Sequence, residues 1–132
     1  MRVLICGGPK VGKTFLADRL GKASGHRVRH TDDLIGKLDW SQSSEEVSKW
    51  MDEPGPWIIE GVSVPRAIRK FFDRHHRDEK PCDIVYWGQN PRVPRLLPGQ
   101  VSMAKGVLTV WSQVNRLLLQ RGVRVESFPE DE

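Results

Sequence analysis

Long apolar runs are missing from this chain. The longest, such as Val3-Leu4-Ile5-Cys6, extend over only a few residues, far short of the roughly 20 that cross a bilayer, so no membrane partner is expected. Cysteine is scarce. Cys6 sits in an apolar run and Cys82 follows Pro81, too few for a disulfide framework or a zinc site. Two reduced thiols in a cytoplasmic protein are the expectation. There is no internal repeat and no low-complexity tract. Met1-Arg2 leads straight into a strand-like run that Gly7-Gly8-Pro9 breaks at once, so no signal peptide is expected either.

What is present fits one compact unit. The chain has 132 residues, 38% hydrophobic and 29% charged, a balance that argues against disorder and allows a core. Five tryptophans, at positions 40, 50, 57, 87 and 111, carry much of the apolar volume. The net charge is +4, from 21 Lys and Arg against 17 Asp and Glu. Glu130-Asp131-Glu132 are all acidic and follow Pro129, so residues 129–132 read as a solvated tail and 1–128 as a single domain. The body then holds 21 positive against 14 negative charges, a net of +7. Such an excess suits an anionic partner, although basic helix surfaces would produce it too.

Strand-like and helix-like segments alternate throughout. Arg2–Cys6 is a buried strand by its β-branched and apolar content. Residues 13–23 follow as a helix, with Phe15, Leu16, Leu20 and Ala23 at helical spacing and Gly25 closing it. Arg27–Thr31 is a weaker strand. Ser43 with Glu46 resembles a capping box opening a short helix through Val47, Trp50 and Met51, stopped by Pro54-Gly55-Pro56. Trp57–Glu60 is a strand, and Pro65 starts a helix bearing Ala67, Ile68, Phe71 and Phe72. Asp83–Trp87 is the next strand. Residues 88–99 hold three prolines and two glycines and form a loop. A helix from about Val101 to Gln120 and a strand over Val123–Phe128 complete the pattern.

Five strands separated by four helices predict an α/β fold whose parallel sheet is covered on both faces. Ligands bind such sheets at the carboxyl ends of their strands. Gly7, Asp32, Glu60 and the 88–99 loop gather at that edge.

Gly7-Gly8-Pro9-Lys10-Val11-Gly12-Lys13-Thr14 matches G-x-x-x-x-G-K-[ST] at every fixed position, in the required setting between a strand and an amphipathic helix. The glycines let successive backbone N–H groups turn inward around phosphate oxygens. The helix amino end adds partial positive charge and unpaired donors. Lys13 can reach the outer phosphates, and the Thr14 hydroxyl can sit on Mg²⁺. The pattern points to a bound nucleoside triphosphate and leaves open what it is used for.

With these residues the chain resembles the P-loop kinases of small molecules, such as nucleoside monophosphate kinases and shikimate kinase. His30-Thr31-Asp32-Asp33-Leu34-Ile35 is similar to the D-T-D-x-x-I stretch of shikimate-type kinases, with His30 where the pattern has its first Asp. Trp57-Ile58-Ile59-Glu60-Gly61 followed by Pro65-Arg66 resembles the strand, Gly and Pro-Arg of adenylate-type kinases, at longer spacing. Arg92 and Arg95 fall after the fourth strand, where that family keeps an arginine lid. The resemblance implies a three-layer P-loop NTPase fold with strand order 2-3-1-4-5 and a minimal lid. It also implies ATP and Mg²⁺ as cofactors and a small-molecule acceptor, a nucleoside or nucleotide being favoured by Pro65-Arg66.

Candidate roles follow. Asp32 would orient an acceptor hydroxyl and accept its proton, or else cap the segment starting at Leu34. Asp33 is a cap or a supporting substrate contact. Glu60 would hold Mg²⁺ together with Thr14, since an acid ending an apolar strand needs such a partner. Arg66 would meet an acceptor phosphate, and Arg92 and Arg95 would neutralise the transferring phosphoryl group. Trp40, in an expected loop, would stack on a base or plug the core. Trp50, Trp57, Trp87 and Trp111 are expected in the core, and His75-His76 at a solvated helix end. Two other functions stay open on the sequence: a P-loop ATPase or binding module acting with a partner, and a kinase of nucleic-acid 5′ ends. No basic–aromatic stripe supports the last.

Overall fold

Ten elements alternate along the chain in a computed structural model that describes residues 1–75 and 79–129. Strand β1 (Arg2–Gly7) leads into helix α1 (Lys13–Ser24), and β2 (Arg27–His30) into a 3-10 turn over Thr31–Leu34. Helix α2 (Trp40–Trp50), β3 (Trp57–Glu60), α3 (Val64–Arg74), β4 (Ile84–Gly88), α4 (Pro98–Gln120) and β5 (Arg124–Ser127) follow. The acidic residues 130–132 and His76 lie outside the described residues. No helix among the described residues is long and apolar enough to cross a membrane.

The strands form one parallel sheet, as the sequence pattern predicts, in the order β2-β3-β1-β4-β5 that the resemblance implies. Its central strands are buried on both faces, which is why β1 and β3 read as continuous apolar runs. On one face, α2, α3 and α4 enclose Leu4, Ile59, Val85, Phe71, Trp111 and their neighbours. On the other, α1 packs Leu16 and Ala17 on Val3, Ile5 and Ile58. Registry carries the site: Glu60 pairs with both Ile5 and His30, and Gly7 with Gly88. The loops after all these strands therefore open at one edge.

Local differences have local causes. Trp40 is the first residue of α2 rather than part of a loop. The capping box is Asp39 with Gln42, whose backbone N–H donates to Asp39 Oδ1 at 2.7 Å and whose side-chain Oε1 accepts from the Asp39 N–H at 3.1 Å. That pattern stands four residues before Ser43 and Glu46, one turn earlier, and it leaves Ser43, Ser44 and Ser48 buried within α2. Thr31 belongs to the 3-10 turn, not to β2. Helix α4 starts at Pro98, because proline is suited to a first helical turn. Of the apolar residues at helical spacing in α1, Phe15 is 58% exposed, since the helix turns Leu16 and Ala17 inward instead. Leu117 is likewise exposed, while Trp111 and Leu118 are buried. Trp50 and Trp57 are buried as expected, and the half-buried Trp87 ring stacks on Trp111 at 4.7 Å. His75 is more than a solvated helix end. It bonds Asp52 through Nε2 at 2.9 Å and Glu79 through Nδ1 at 2.6 Å. Both cysteines are free and buried.

Candidate functional site

The site is built where β1 ends. Lys10 at φ 65 and Gly12 at φ 94 turn the Gly7–Thr14 loop, and Gly12 precedes α1 with no side-chain cap, leaving the first-turn N–H groups without a side-chain acceptor at the helix end. A Cβ at Gly12 would stand 2.7 Å from Arg92 Nε, a mobile side-chain end that can shift, so it is the positive φ that calls for glycine here. Lys13 Nζ donates to the loop's own Gly8 carbonyl at 2.6 Å. Burial pushes the Lys13 ammonium below its ordinary range, while the Glu60 and Asp32 carboxylates pull it back up. Both acids therefore act on Lys13 electrostatically.

Glu60 is 2% exposed at the end of β3. An acid at that depth needs partners, and the sheet supplies one, because His30 is its in-register neighbour. His30 Nδ1 lies 2.7 Å from Glu60 Oε1 and donates whenever Glu60 is ionised; the Thr14 hydroxyl donates to the same oxygen at 3.4 Å. Burial raises the Glu60 carboxyl above its ordinary value, offset in part by His30 and Lys13. Burial lowers His30, but Glu60, with Asp18 and Asp33, outweighs it and leaves the imidazole raised.

Two oxygens, the Thr14 hydroxyl and the Glu60 carboxylate, form a hard donor set that suits Mg²⁺. Among the described residues no three His, Cys, Asp or Glu cluster as a metal cage.

Arg92 closes over the loop from the β4–α4 segment. Its backbone N–H donates to the Lys10 carbonyl at 2.7 Å, and its guanidinium lies 5.9 Å from the Phe15 ring centre. Arg95 is exposed in the same segment, with no hydrogen bond or ion pair to the loop among the described residues. A cavity of about 270 Å³ lies between this segment and the end of β5, lined by Gln89, Asn90, Arg92 and Phe128.

Two further cavities adjoin across Trp40, Val62 and Ser63. One, about 280 Å³, is lined by Asp32, Thr31, Ile35 and Leu38. The other, about 320 Å³, holds Arg66 at its rim with Pro65, Met103 and Val107. Trp40 is 49% exposed and lines both. Gly61, at φ 150, fastens the β3–α3 turn to the 3-10 turn, since a Cβ there would overlap Thr31 Oγ1.

The structure thus brings Lys13, Thr14, Asp32, Glu60 and Arg92 to one edge and places Trp40 and Arg66 along one wall beside it. Asp33 is exposed and acts on His30 electrostatically. Sequence reasoning missed His30 as the Glu60 partner, Phe15 under Arg92, and Ser63. The Ser63 hydroxyl is buried with no hydrogen-bond partner among the described residues, a state that costs about 1–3 kcal/mol. Only its position two residues after Gly61 could have marked it.

No protein-family model matches this sequence, and no curated protein does. Solved structures do match. Shikimate kinase from Acinetobacter baumannii, in complex with shikimate, superposes with a TM-score of 0.58 at 11% identity, covering 98% of this chain and 83% of that one. The YorR protein from Bacillus subtilis, in complex with phosphorylated GDP, gives a TM-score of 0.47 at 15% identity, covering 96% and 85%. With the strand order, the first likeness shows that the chain has the fold of the P-loop small-molecule kinases.

Proposed function

We propose that this chain is an ATP-dependent small-molecule kinase whose acceptor is a nucleoside or nucleotide. One observation carries the reading: Lys13, Thr14, Glu60 and Asp32 converge on a strand-loop-helix phosphate cradle that Arg92 covers. Phosphoryl transfer needs this kind of site, since positioning and charge neutralisation supply most of its catalysis.

In this reading the Gly7–Thr14 loop holds the triphosphate through its backbone donors, and Lys13 leaves the Gly8 carbonyl for the outer phosphates. The base enters the cavity beside Gln89 and Asn90, whose amides can pair with its edge. Thr14 and Glu60 would hold Mg²⁺, which when bound neutralises the β- and γ-phosphate oxygens. Asp32 orients an acceptor hydroxyl and takes its proton as that oxygen bonds the γ-phosphorus. The bond from phosphorus to the β–γ bridging oxygen breaks, and the diphosphate leaves. Arg92 stabilises the charge on the moving group, with Arg95 available in the same segment. Arg66 receives an acceptor phosphate, Trp40 an acceptor ring, and Asp33 supports the acceptor side. The two free buried thiols favour a reducing, cytoplasmic setting.

The experiment is transfer of labelled γ-phosphate, with and without Mg²⁺, to a panel of nucleosides, nucleotides, small metabolites and oligonucleotides. A labelled nucleoside or nucleotide supports the proposal. Label on oligonucleotide ends alone would assign a nucleic-acid kinase, and free phosphate alone an ATPase that works with a partner.

A further inference from the structure

Helix α4 presents Ser102 and Gly106, one turn apart, to the 320 Å³ cavity. A Cβ built on Gly106 meets nothing within 4 Å. The space beside it is therefore open, although glycine is the poorest helix former after proline. Across the cavity stands Ser63, 3% exposed, whose hydroxyl has no partner among the described residues. A buried hydroxyl with no partner in the chain calls for one, and Ser63 lines both this cavity and its neighbour. The other walls are Trp40, Pro65, Met103, Val107 and Val110, flat or aliphatic surfaces, with Arg66 at the rim.

We infer that this cavity selects the acceptor: the Ser102–Gly106 face of α4 admits a flat aromatic or heteroaromatic ring, and the Ser63 hydroxyl pairs with the ring's polar edge. The inference rests on the kinase reading for the fate of the ring-bearing molecule. Binding of the ring itself does not depend on that reading. The neighbouring 280 Å³ cavity shares Trp40, Val62 and Ser63 and contains Asp32, so one elongated molecule can place its hydroxyl by Asp32 and its ring against Trp40. Open-chain polyols and hydroxylated carbocycles fit poorly. Each of their hydroxyls would lose water against Val107, Val110 or Met103 and find only a few polar groups in return. Discrimination of this kind, where buried polar groups must pair or stay unpaired, is steep. Gly106 and Ser63 are thereby specificity-determining residues.

The test uses calorimetric binding of two probe sets to the full chain. Adenosine, thymidine and tryptophol carry rings; glycerol, ribitol and shikimate do not carry aromatic ones. Wild type should bind at least one ring probe, and more tightly than any of the second set. Gly106→Leu fills the cavity while improving helix propensity, so its melting temperature should not fall, and ring binding should weaken tenfold or more. Ser102→Leu, one turn earlier, should do the same and serves if Gly106→Leu does not fold. Ser63→Ala should weaken nucleosides more than tryptophol, whose ring offers fewer polar edge groups. ATP affinity is read alongside to check that the nucleotide half is folded. Ring binding unchanged in both leucine variants, or polyols bound as tightly as rings, overturns the inference. Ring binding that depends on Gly106 with no phosphoryl transfer to any probe supports the cavity assignment and removes the kinase reading instead.

Discussion

His30 Nδ1 stands 2.7 Å from Glu60 Oε1, and the two residues are register partners in adjacent parallel strands. This pair holds the most deeply buried acid of the site in place. It also links the sheet to the Gly7–Thr14 loop, because the same Glu60 oxygen accepts from Thr14.

The pair makes stability depend on pH. His30 is raised above 6.5 by Glu60, so its stabilising contribution is complete below pH 6.5 and is lost as pH rises through the folded value. Glu60, raised above 4.5 mainly by burial, acts in the same sense in a lower window. Its contribution is present below pH 4.5 and is lost as pH rises through its own folded value. Urea midpoints should therefore fall from about pH 5.5 to about pH 8.5. In His30→Gln, which keeps a polar partner but does not titrate, the part of the fall above pH 6.5 should vanish. An unchanged pH profile in that variant contradicts the coupling.

Gly61 should be intolerant. Alanine there combines a positive φ with overlap against Thr31, and the buried turn has little room to give. Gly61→Ala is expected to cost about 2–4 kcal/mol in urea unfolding. Gly25→Ala, at φ 74 but with nothing within 4 Å, should cost about 1 kcal/mol. Equal losses would mean that conformation alone, and not the approach to Thr31, matters at Gly61.

The sheet and the β1–α1 turn were legible in the sequence because their signals are local. Apolar runs of three or four residues end at or one residue before a glycine, and the loop's fixed positions fall within eight residues. The acceptor side was legible only as single residues. Asp39-x-x-Gln42 and Ser43-x-x-Glu46 offer the same capping pattern, and packing of Ser44 and Ser48 decides between them. Phe15 and Leu16 are neighbours in α1, so helical spacing alone does not say which turns inward. The His30–Glu60 bond spans 30 residues and exists only once β2 lies beside β3. The Ser63 orphan and the space at Gly106 are properties of three helices and a turn meeting, with no counterpart in any short pattern.

Asp32 should separate chemistry from binding. Asp32→Asn keeps the shape but removes the base, so kcat for transfer should fall about 10²–10⁴-fold, with ATP affinity nearly unchanged. Steady-state kinetics with parallel ATP titration check this. Retention of both would return Asp32 to a structural role in the 3-10 turn.

Arg92 should matter to the nucleotide side. Its guanidinium lies over Gly12 and beside Phe15, so Arg92→Ala should lower kcat/KM for ATP about 10²-fold, and Arg92→Lys should restore only part of it. Circular dichroism should show an intact fold. A variant with wild-type kcat/KM would remove Arg92 from the lid.

The central claim is that the Gly7–Thr14 loop drives phosphoryl transfer, and Lys13 tests it most directly. The measurement is single-turnover transfer of labelled γ-phosphate from ATP·Mg²⁺ to the acceptor found in the panel, comparing wild type with Lys13→Ala. Label is expected on the acceptor with wild type, and a rate reduced about 10³-fold or more in a variant that still folds. Transfer by Lys13→Ala at the wild-type rate would contradict the account.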